Sequence, residues 1–181
     1  ADSVVLVIGE TADAGLESID RDATALPAHQ VALIRAVCAA NPRTVVVLNV
    51  AHPVDTGCLA DAAAVMVVWY PGQEFGPALA SVLAGDREPG GRLPVTFAQR
   101  LDDYPVRSLT PDAAGDLWYH ERQQVGYRWF NARERPAAWA FGHGLGYADI
   151  TLIAAALTGD EVDALQLRCR LENRAASAGA P

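Results

Sequence analysis

The chain contains no lysine: all fourteen basic residues among its 181 are arginine. This absence excludes a Walker A phosphate loop, a Schiff-base lysine and a pyridoxal phosphate anchor, since each depends on a lysine amine. The net charge is −8. Nucleic acid and anionic membranes are therefore disfavoured as partners, because their phosphates would be repelled.

Cysteines and long apolar runs are also scarce. The three cysteines form no C-x-x-C pair, and no two histidines stand four residues apart, so we expect no metal site and no cofactor. No apolar run approaches the ~20 residues that cross a bilayer, and no signal peptide opens the chain. These features favour a cytoplasmic protein, with secretion as the alternative if a leader was removed.

Two common active-site motifs are missing as well. The chain has no G-x-G-x-x-G loop for a dinucleotide and no G-x-S-x-G elbow for a Ser-His-Asp hydrolase. With 51% hydrophobic residues, it can nevertheless bury a full core. The composition thus predicts one domain with a small appendage.

The order of apolar segments predicts an α/β fold. Runs rich in β-branched residues at Ser3–Gly9, Thr44–Val50 and Ala64–Tyr70 are typical of strands buried on both faces. Helical spacing of apolar residues and a proline in the first turn predict helices from Pro27 to Cys38 and from Gln73 to Ala84, with a short one over 57–62. Short connections between these elements predict a mainly parallel sheet flanked by helices, an α/β sandwich.

The second half of the chain has a different character. Residues 86–109 are rich in proline, glycine and arginine around a short extended piece at Leu93–Phe97, and Gln124–Phe130 predicts a further strand. After Asp149 the pattern alternates with a period of two, as in Leu165–Asn173, which is typical of antiparallel strands. We therefore predict an α/β domain over 1–148 and the truncated start of an all-β domain over 149–181.

The connection between the first strand and the first helix concentrates charge, with Glu17, Asp20 and Arg21 close together. Such loops lie at the carboxyl edge of open α/β sheets, where these folds place their chemistry. Glu17 is therefore a candidate proton-transferring carboxyl, and Asp20 and Arg21 are candidates for fixing its loop. The alternative is a solvated acidic loop that caps the helix.

Other polar and aromatic residues do not indicate a function on their own. Trp69 and Tyr70 stand near a predicted strand end, where aromatic rings could stack on sugars or equally well fill a core. His120 and Glu121 are neighbours, and on a strand they would point to opposite faces. That geometry favours a structural role for His120.

Five stretches, in order and spacing, resemble motifs of glycoside hydrolase family 3, the β-glucosidases and related exo-acting enzymes. In the order of the chain they are E-S-I-D-R at 17–21 with L-P at 26–27 and Gln30, W-Y-P-G-Q-E at 69–74, G-R-L-P-V-T-F at 91–97, Tyr119 and Glu121 with V-G-Y-R at 125–128, and F-G-H-G-L-G-Y at 141–147.

The resemblance implies that residues 1–148 form the second, α/β-sandwich domain of that family and that the tail starts a fibronectin-III-like domain. It implies Glu17 as general acid/base, while Asp20, Arg21, Trp69, Tyr70 and Glu121 would contact substrate or fix loops.

The nucleophilic aspartate of the family lies on a (β/α)₈ barrel that this chain does not contain. Retaining hydrolysis needs two carboxyls about 5–5.5 Å apart. We therefore expect part of an exo-acting retaining β-glycosidase, inactive alone, whose partners are a carbohydrate, the barrel and, as a further candidate, a second copy in a homodimer.

Two departures from the family pattern keep alternatives open. Ser18 and Arg122 stand where the family has glycine. Glu10 is the nearest competing carboxyl for the acid/base role. A non-catalytic α/β module that binds carbohydrate or forms a structural or dimer contact is the alternative function.

Overall fold

The computed structural model of the chain describes residues 1–10, 18, 23–106, 110–159 and 164–175. The chain divides into two compact units. The first unit comprises Ala1–Gly72 and Leu93–His143, and the second comprises Gln73–Arg92 and Gly144–Pro181. The domain boundary after residue 148 stays a prediction.

A parallel three-stranded sheet forms the centre of the first unit. Its strands are β1 (Val4–Gly9), β2 (Thr44–Asn49) and β3 (Ala64–Val67), in the spatial order β1-β2-β3. The central strand is the most buried, as expected for a strand paired on both sides. The fully enclosed side chains of this strand are those of Thr44, Val46, Val47 and Leu48. The α/β fold class is confirmed.

Helix α1 (Ala28–Ala40) follows the predicted pattern closely. Its buried positions, Ile34 and Cys38, are one helical turn apart and join the core cluster that includes residues of the sheet. The carbonyl of Pro27 accepts the first backbone hydrogen bonds of the helix. At the other end, the Asn41 N–H still bonds to a helical carbonyl although its backbone is extended. Helix α1 thus begins and ends where the sequence predicts.

The region from Leu93 returns to the core through Phe97, which is completely buried. Phe97 pairs with Trp139 in an isolated antiparallel bridge, and the ring centroids of the two residues lie 5.1 Å apart. A single 3₁₀ turn at Gly57–Leu59 replaces the predicted short helix and buries Leu59. These contacts complete the core of the first unit.

One predicted strand is wrong. Gln124–Phe130 is not extended: Gly126, with φ at +56°, turns the chain into helix α3 (Tyr127–Ala132). Trp129 and Phe130 are buried on this helix. A short run of aromatic and β-branched residues fits a strand and a buried helical turn equally well, and here the tertiary contacts of the two aromatic rings decide.

Two smaller expectations also need correction. Strand β3 ends at Val67 rather than Tyr70, because Trp69 adopts a left-handed backbone with φ at +52°. His120 and Glu121 lie in a turn rather than on a strand, so the argument that their side chains point to opposite faces does not apply.

The second unit contains helix α2 (Phe75–Leu83) and the antiparallel pair β4 (Ile150–Thr158) and β5 (Gln166–Asn173). The carboxylate of Glu88 accepts a hydrogen bond from the Tyr147 N–H at 3.0 Å. The short all-β tail of the predicted fold class is confirmed. None of the described helices combines the length and apolarity that a bilayer crossing requires.

Candidate functional site at the carboxyl edge of the sheet

The carboxyl ends of the three parallel strands meet at one edge, and Glu10 lies at the centre of the contacts there. The Glu10 N–H continues the ladder by donating to the Asn49 carbonyl at 3.1 Å. Its side chain turns back toward the exits of the other two strands. Carboxylate Oε2 accepts hydrogen bonds from the Ala51 N–H at 2.7 Å and from the Tyr70 hydroxyl at 3.2 Å, and Oε1 lies 3.0 Å from Nδ1 of His52.

Burial makes this cluster energetically significant. The Glu10 side chain is only 4% exposed and that of His52 is 21% exposed. A carboxylate withdrawn from water is strongly destabilising unless hydrogen bonds and opposite charge compensate for it. Among the described residues, the Ala51 N–H and the Tyr70 hydroxyl donate to Glu10, and the His52 imidazole lies against its other oxygen, which contributes to that compensation. They also link the segments that follow β1, β2 and β3 through one side chain.

The residue before Tyr70 adds a constraint of its own. Trp69 holds the left-handed backbone noted above, a conformation that costs a residue with a side chain roughly 1–2 kcal/mol. Its carbonyl accepts a hydrogen bond from the Asn49 side chain, and its ring lies 6.1 Å from that of Phe97. Trp69 is thus half-buried against the core, whereas Tyr70 is 62% exposed. Of the two predicted aromatic site residues, only Tyr70 offers a mostly open ring.

Both ends of the connection between β1 and α1 are fixed at this edge. At its start, Glu10 makes the contacts described above, and the side-chain amide of Gln30 donates to the carbonyl of Gly9 at 2.7 Å. Near its end, the Asp55 N–H donates to the carbonyl of Thr24 at 3.0 Å, and the Thr24 hydroxyl donates to the Asp55 carboxylate. The exit loop of β2, Ala51–Asp55, therefore contacts the connection at both ends.

Three predicted site residues, Glu17, Asp20 and Arg21, lie outside the described residues, and their roles stay predictions. Ser18 is described: it is exposed and has a φ of +68°. Glu121 is half-buried in a turn, and within the described part of the chain its side chain makes no hydrogen bond or ion pair. The structure therefore does not join Glu121 to the cluster around Glu10.

A cavity of about 360 Å³ lies elsewhere in the first unit. Pro53 of the β2 exit loop, Thr96 and Tyr104 line it together with the aromatic pair of Tyr127 and Phe141. The rings of that pair are stacked with centroids 4.9 Å apart, and the residues are 38% and 50% exposed. This mostly apolar surface could accept the face of a sugar ring or of an aromatic group.

Sequence reasoning named Glu10 as a competing carboxyl but did not connect it with His52. A signal was available: a polar residue follows each of the first two strands within a few positions, and parallel strands bring those positions to one edge. Among the described residues, no three His, Cys, Asp or Glu side chains are grouped in a way that could hold a metal ion. The chemistry that this edge offers is hydrogen bonding and proton transfer by carboxyl, imidazole and phenol groups.

Comparison with known proteins gives one family. Residues 1–147 match the family described as "Glycosyl hydrolase family 3 C-terminal domain". The chain is 42% identical over 168 residues to a β-glucosidase from Rhizobium radiobacter, which covers 91% of this chain and 20% of the relative. It is 35% identical over 151 residues to a putative β-glucosidase from Schizosaccharomyces pombe, covering 83% of this chain and 18% of the relative.

Solved structures give the same picture. DesR, a β-glucosidase from Streptomyces venezuelae crystallised with D-glucose, superimposes with a TM-score of 0.89 at 33% identity, covering 98% of this chain and 23% of that one. The β-glucosidase from Kluyveromyces marxianus in complex with glucose gives a TM-score of 0.79 at 36% identity, covering 87% of this chain and 19% of that one. The chain thus spans about a fifth of the length of the relatives it matches.

Proposed function

Because this chain belongs to the glycosyl hydrolase family 3 C-terminal domain family, we propose that it is the part of an exo-acting retaining β-glycosidase that supplies the general acid/base. The observation that carries the proposal is the family match over 1–147. The assignment of Glu17 to the acid/base role comes from the resemblance of E-S-I-D-R at 17–21 to the motif of that family. In this role Glu17 protonates the departing glycosidic oxygen and then activates the water that releases the sugar.

The described structure supports this role through what surrounds the connection. The segment that carries Glu17 leaves the sheet at Glu10 and is fixed again at Thr24, and both residues bond to the β2 exit loop. A general acid must be held within hydrogen-bond reach of the leaving oxygen, so a connection fixed at both ends suits it better than a free surface loop.

The remaining parts of the proposal rest on the family resemblance, and the greater length of the relatives is consistent with them. The nucleophile lies on a (β/α)₈ barrel of the same enzyme, and the substrate is a carbohydrate with a terminal β-linked sugar. Residues 1–148 form the α/β-sandwich domain, and the tail from residue 149 begins a fibronectin-III-like domain. This chain alone then holds one of the two carboxyls that retention requires, and it is inactive by itself.

Glu17→Gln in the full-length enzyme tests the acid/base role. We expect kcat/KM on a disaccharide to fall by about 10²–10⁴-fold, because the leaving oxygen is no longer protonated. A dinitrophenyl glycoside should lose far less in this step, since its leaving group departs without a proton. Added azide should restore turnover, because it attacks the glycosyl-enzyme without a base. Equal kinetics of variant and wild type on both substrates would exclude the role.

A second candidate function is a non-catalytic module that binds carbohydrate or contributes a dimer contact. The stacked Tyr127 and Phe141 beside the cavity favour it, since paired aromatic rings can bind a sugar. Sugar titration of the full-length protein separates the two functions. Binding lost in Tyr127→Ala but intact in Glu17→Ala, together with normal turnover by Glu17→Ala, would support the binding module.

A further inference from the structure

We propose that Glu10 is a positioning residue that fixes the start of the connection carrying Glu17. This inference rests on the proposed function, since it assigns Glu10 a part in holding the acid/base. The connection runs from the end of β1 to the start of α1, and Glu10 is its first residue. The contacts of Glu10 therefore act at the point where the connection leaves the sheet.

Main-chain and side-chain contacts fix Glu10 independently. Its N–H donates to the Asn49 carbonyl at 3.1 Å, which extends the β1–β2 ladder by one residue. Its carboxylate accepts the Ala51 N–H at 2.7 Å, a short distance for an N–H···O bond and one typical of a charged acceptor. The side chain thus closes against the exit of β2, the same strand to which its own backbone is bonded.

Tyr70 adds a contact from a second strand exit, and His52 adds one from the exit of β2. The Tyr70 hydroxyl reaches the same oxygen as Ala51 from the segment after β3, and His52 lies against the other oxygen. Truncation of Glu10 would leave these groups without that acceptor and would leave the start of the connection held by backbone contacts alone, while Thr24 and Asp55 still hold its end.

The same contacts argue that Glu10 is not the acid/base itself. A general acid must place its carboxyl within about 2.6–3.2 Å of the leaving oxygen. The Glu10 side chain is 4% exposed, and both of its oxygens already lie against polar groups of the protein. The burial of Glu10 therefore favours Glu17 over Glu10 as the proton donor.

The test uses the full-length enzyme with Glu10→Ala and Glu10→Gln, each alone and combined with Glu17→Gln. For Glu10→Ala we expect kcat/KM on a disaccharide to fall about 10–100-fold, because an error of ~1 Å in placing a catalytic group can cost 10²-fold. A dinitrophenyl glycoside should change less than about threefold, since it does not need the acid. In the Glu17→Gln background, Glu10→Ala should cause no further loss on the disaccharide.

Glu10→Gln is the conservative variant, because its amide oxygen can still accept the Ala51 N–H. It should recover part of the disaccharide activity lost in Glu10→Ala. If Glu10→Ala does not fold, the two substrate rates are measured on Glu10→Gln instead. Asp103→Ala is the matched control, since it removes another carboxylate, 14% exposed and 3.0 Å from Arg135, in the same compact unit. It should lower the unfolding temperature without changing the ratio of the two substrate rates.

The outcomes separate the two claims. If Glu17→Gln shows no dependence on the leaving group, the proposed function fails. If Glu17→Gln shows that dependence but Glu10→Ala lowers both substrates equally, lowers neither, or adds its full loss to Glu17→Gln, only the positioning role of Glu10 is overturned.

Discussion

Asp55 and Thr24 are joined by two hydrogen bonds: the Asp55 N–H donates to the Thr24 carbonyl at 3.0 Å, and the Thr24 hydroxyl donates to the Asp55 carboxylate. Both residues are half-buried. The pair fixes the end of the connection between β1 and α1, as the cluster around Glu10 fixes its start. The connection is therefore held by a loop that follows a different strand.

Thr24→Val should lower the free energy of unfolding by about 1 kcal/mol, because the shape is kept and one hydrogen bond to a carboxylate is lost. Urea unfolding of wild type and variant measures the difference. Asp55→Asn is the matched control: its amide oxygen still accepts from the Thr24 hydroxyl, so it should cost less. An equal or larger loss in Asp55→Asn would contradict the assignment of this bond.

The two positions where the chain departs from the family glycine share a backbone conformation. Ser18 has φ at +68° and Arg122 has φ at +53°, both in the left-handed region that glycine adopts without strain. We expect Ser18→Gly and Arg122→Gly each to raise the free energy of unfolding by about 0.5–1 kcal/mol, because relief of 1–2 kcal/mol is partly offset by a more flexible unfolded chain.

Alanine at the same two positions is the control for this prediction. Ser18→Ala and Arg122→Ala remove the polar groups but keep a Cβ, so the strain remains and no gain in stability should appear. Thermal unfolding of all four variants measures the effect. A gain in the alanine variants as large as in the glycine variants would show that the side chains, rather than the backbone, are responsible.

The sequence predicts the sheet and α1 well because their signals are local. The first two strands are β-branched runs that form where predicted, and the apolar spacing of α1 ends at Asn41 as expected. Burial on both faces is correct for the central strand β2 but wrong for the edge strand β1, where Val5 and Val7 are 47% and 49% exposed. The strand predicted over Gln124–Phe130 is wrong because the local pattern does not show that Gly126 turns the chain. Nor does it show that Trp129 and Phe130 are buried together. Short aromatic runs are assigned by tertiary contacts rather than by periodicity.

The candidate site shows the same division between local and distant information. The motif resemblance predicts Glu17 and Tyr70 as site residues, but the contact of Glu10 with His52 joins positions 42 residues apart in the chain. It follows from the spatial order β1-β2-β3 and from the register of the strands. Nor does periodicity show that Trp69 leaves the strand in a left-handed conformation and turns its ring into the core.

Tyr104 supplies the clearest prediction about pH. Its hydroxyl accepts the Ala98 N–H at 3.0 Å and donates to the Thr96 carbonyl at 3.1 Å. Tyr104→Phe would leave the buried Ala98 N–H without this partner, which should cost about 1–3 kcal/mol in urea unfolding at neutral pH. Tyr119→Phe, at a 72% exposed position, is the control and should leave stability unchanged.

Burial raises the pKa of Tyr104 above its ordinary value, and the negative charge of Asp55 adds to the shift, while the hydrogen bond from Ala98 opposes it. The unfolded chain therefore loses this proton at about pH 10, before the folded chain does. The stabilisation from the protonated phenol is complete below that pH and declines as the pH rises through the pKa of the folded state.

The difference in unfolding free energy between wild type and Tyr104→Phe should thus be constant up to about pH 10 and shrink above it. With no lysine in the chain, no amine side chain titrates in this range, and phenolate absorbance near 295 nm should show a late-titrating component that is lost in Tyr104→Phe. A difference that stays constant or grows above pH 10 would contradict the raised pKa.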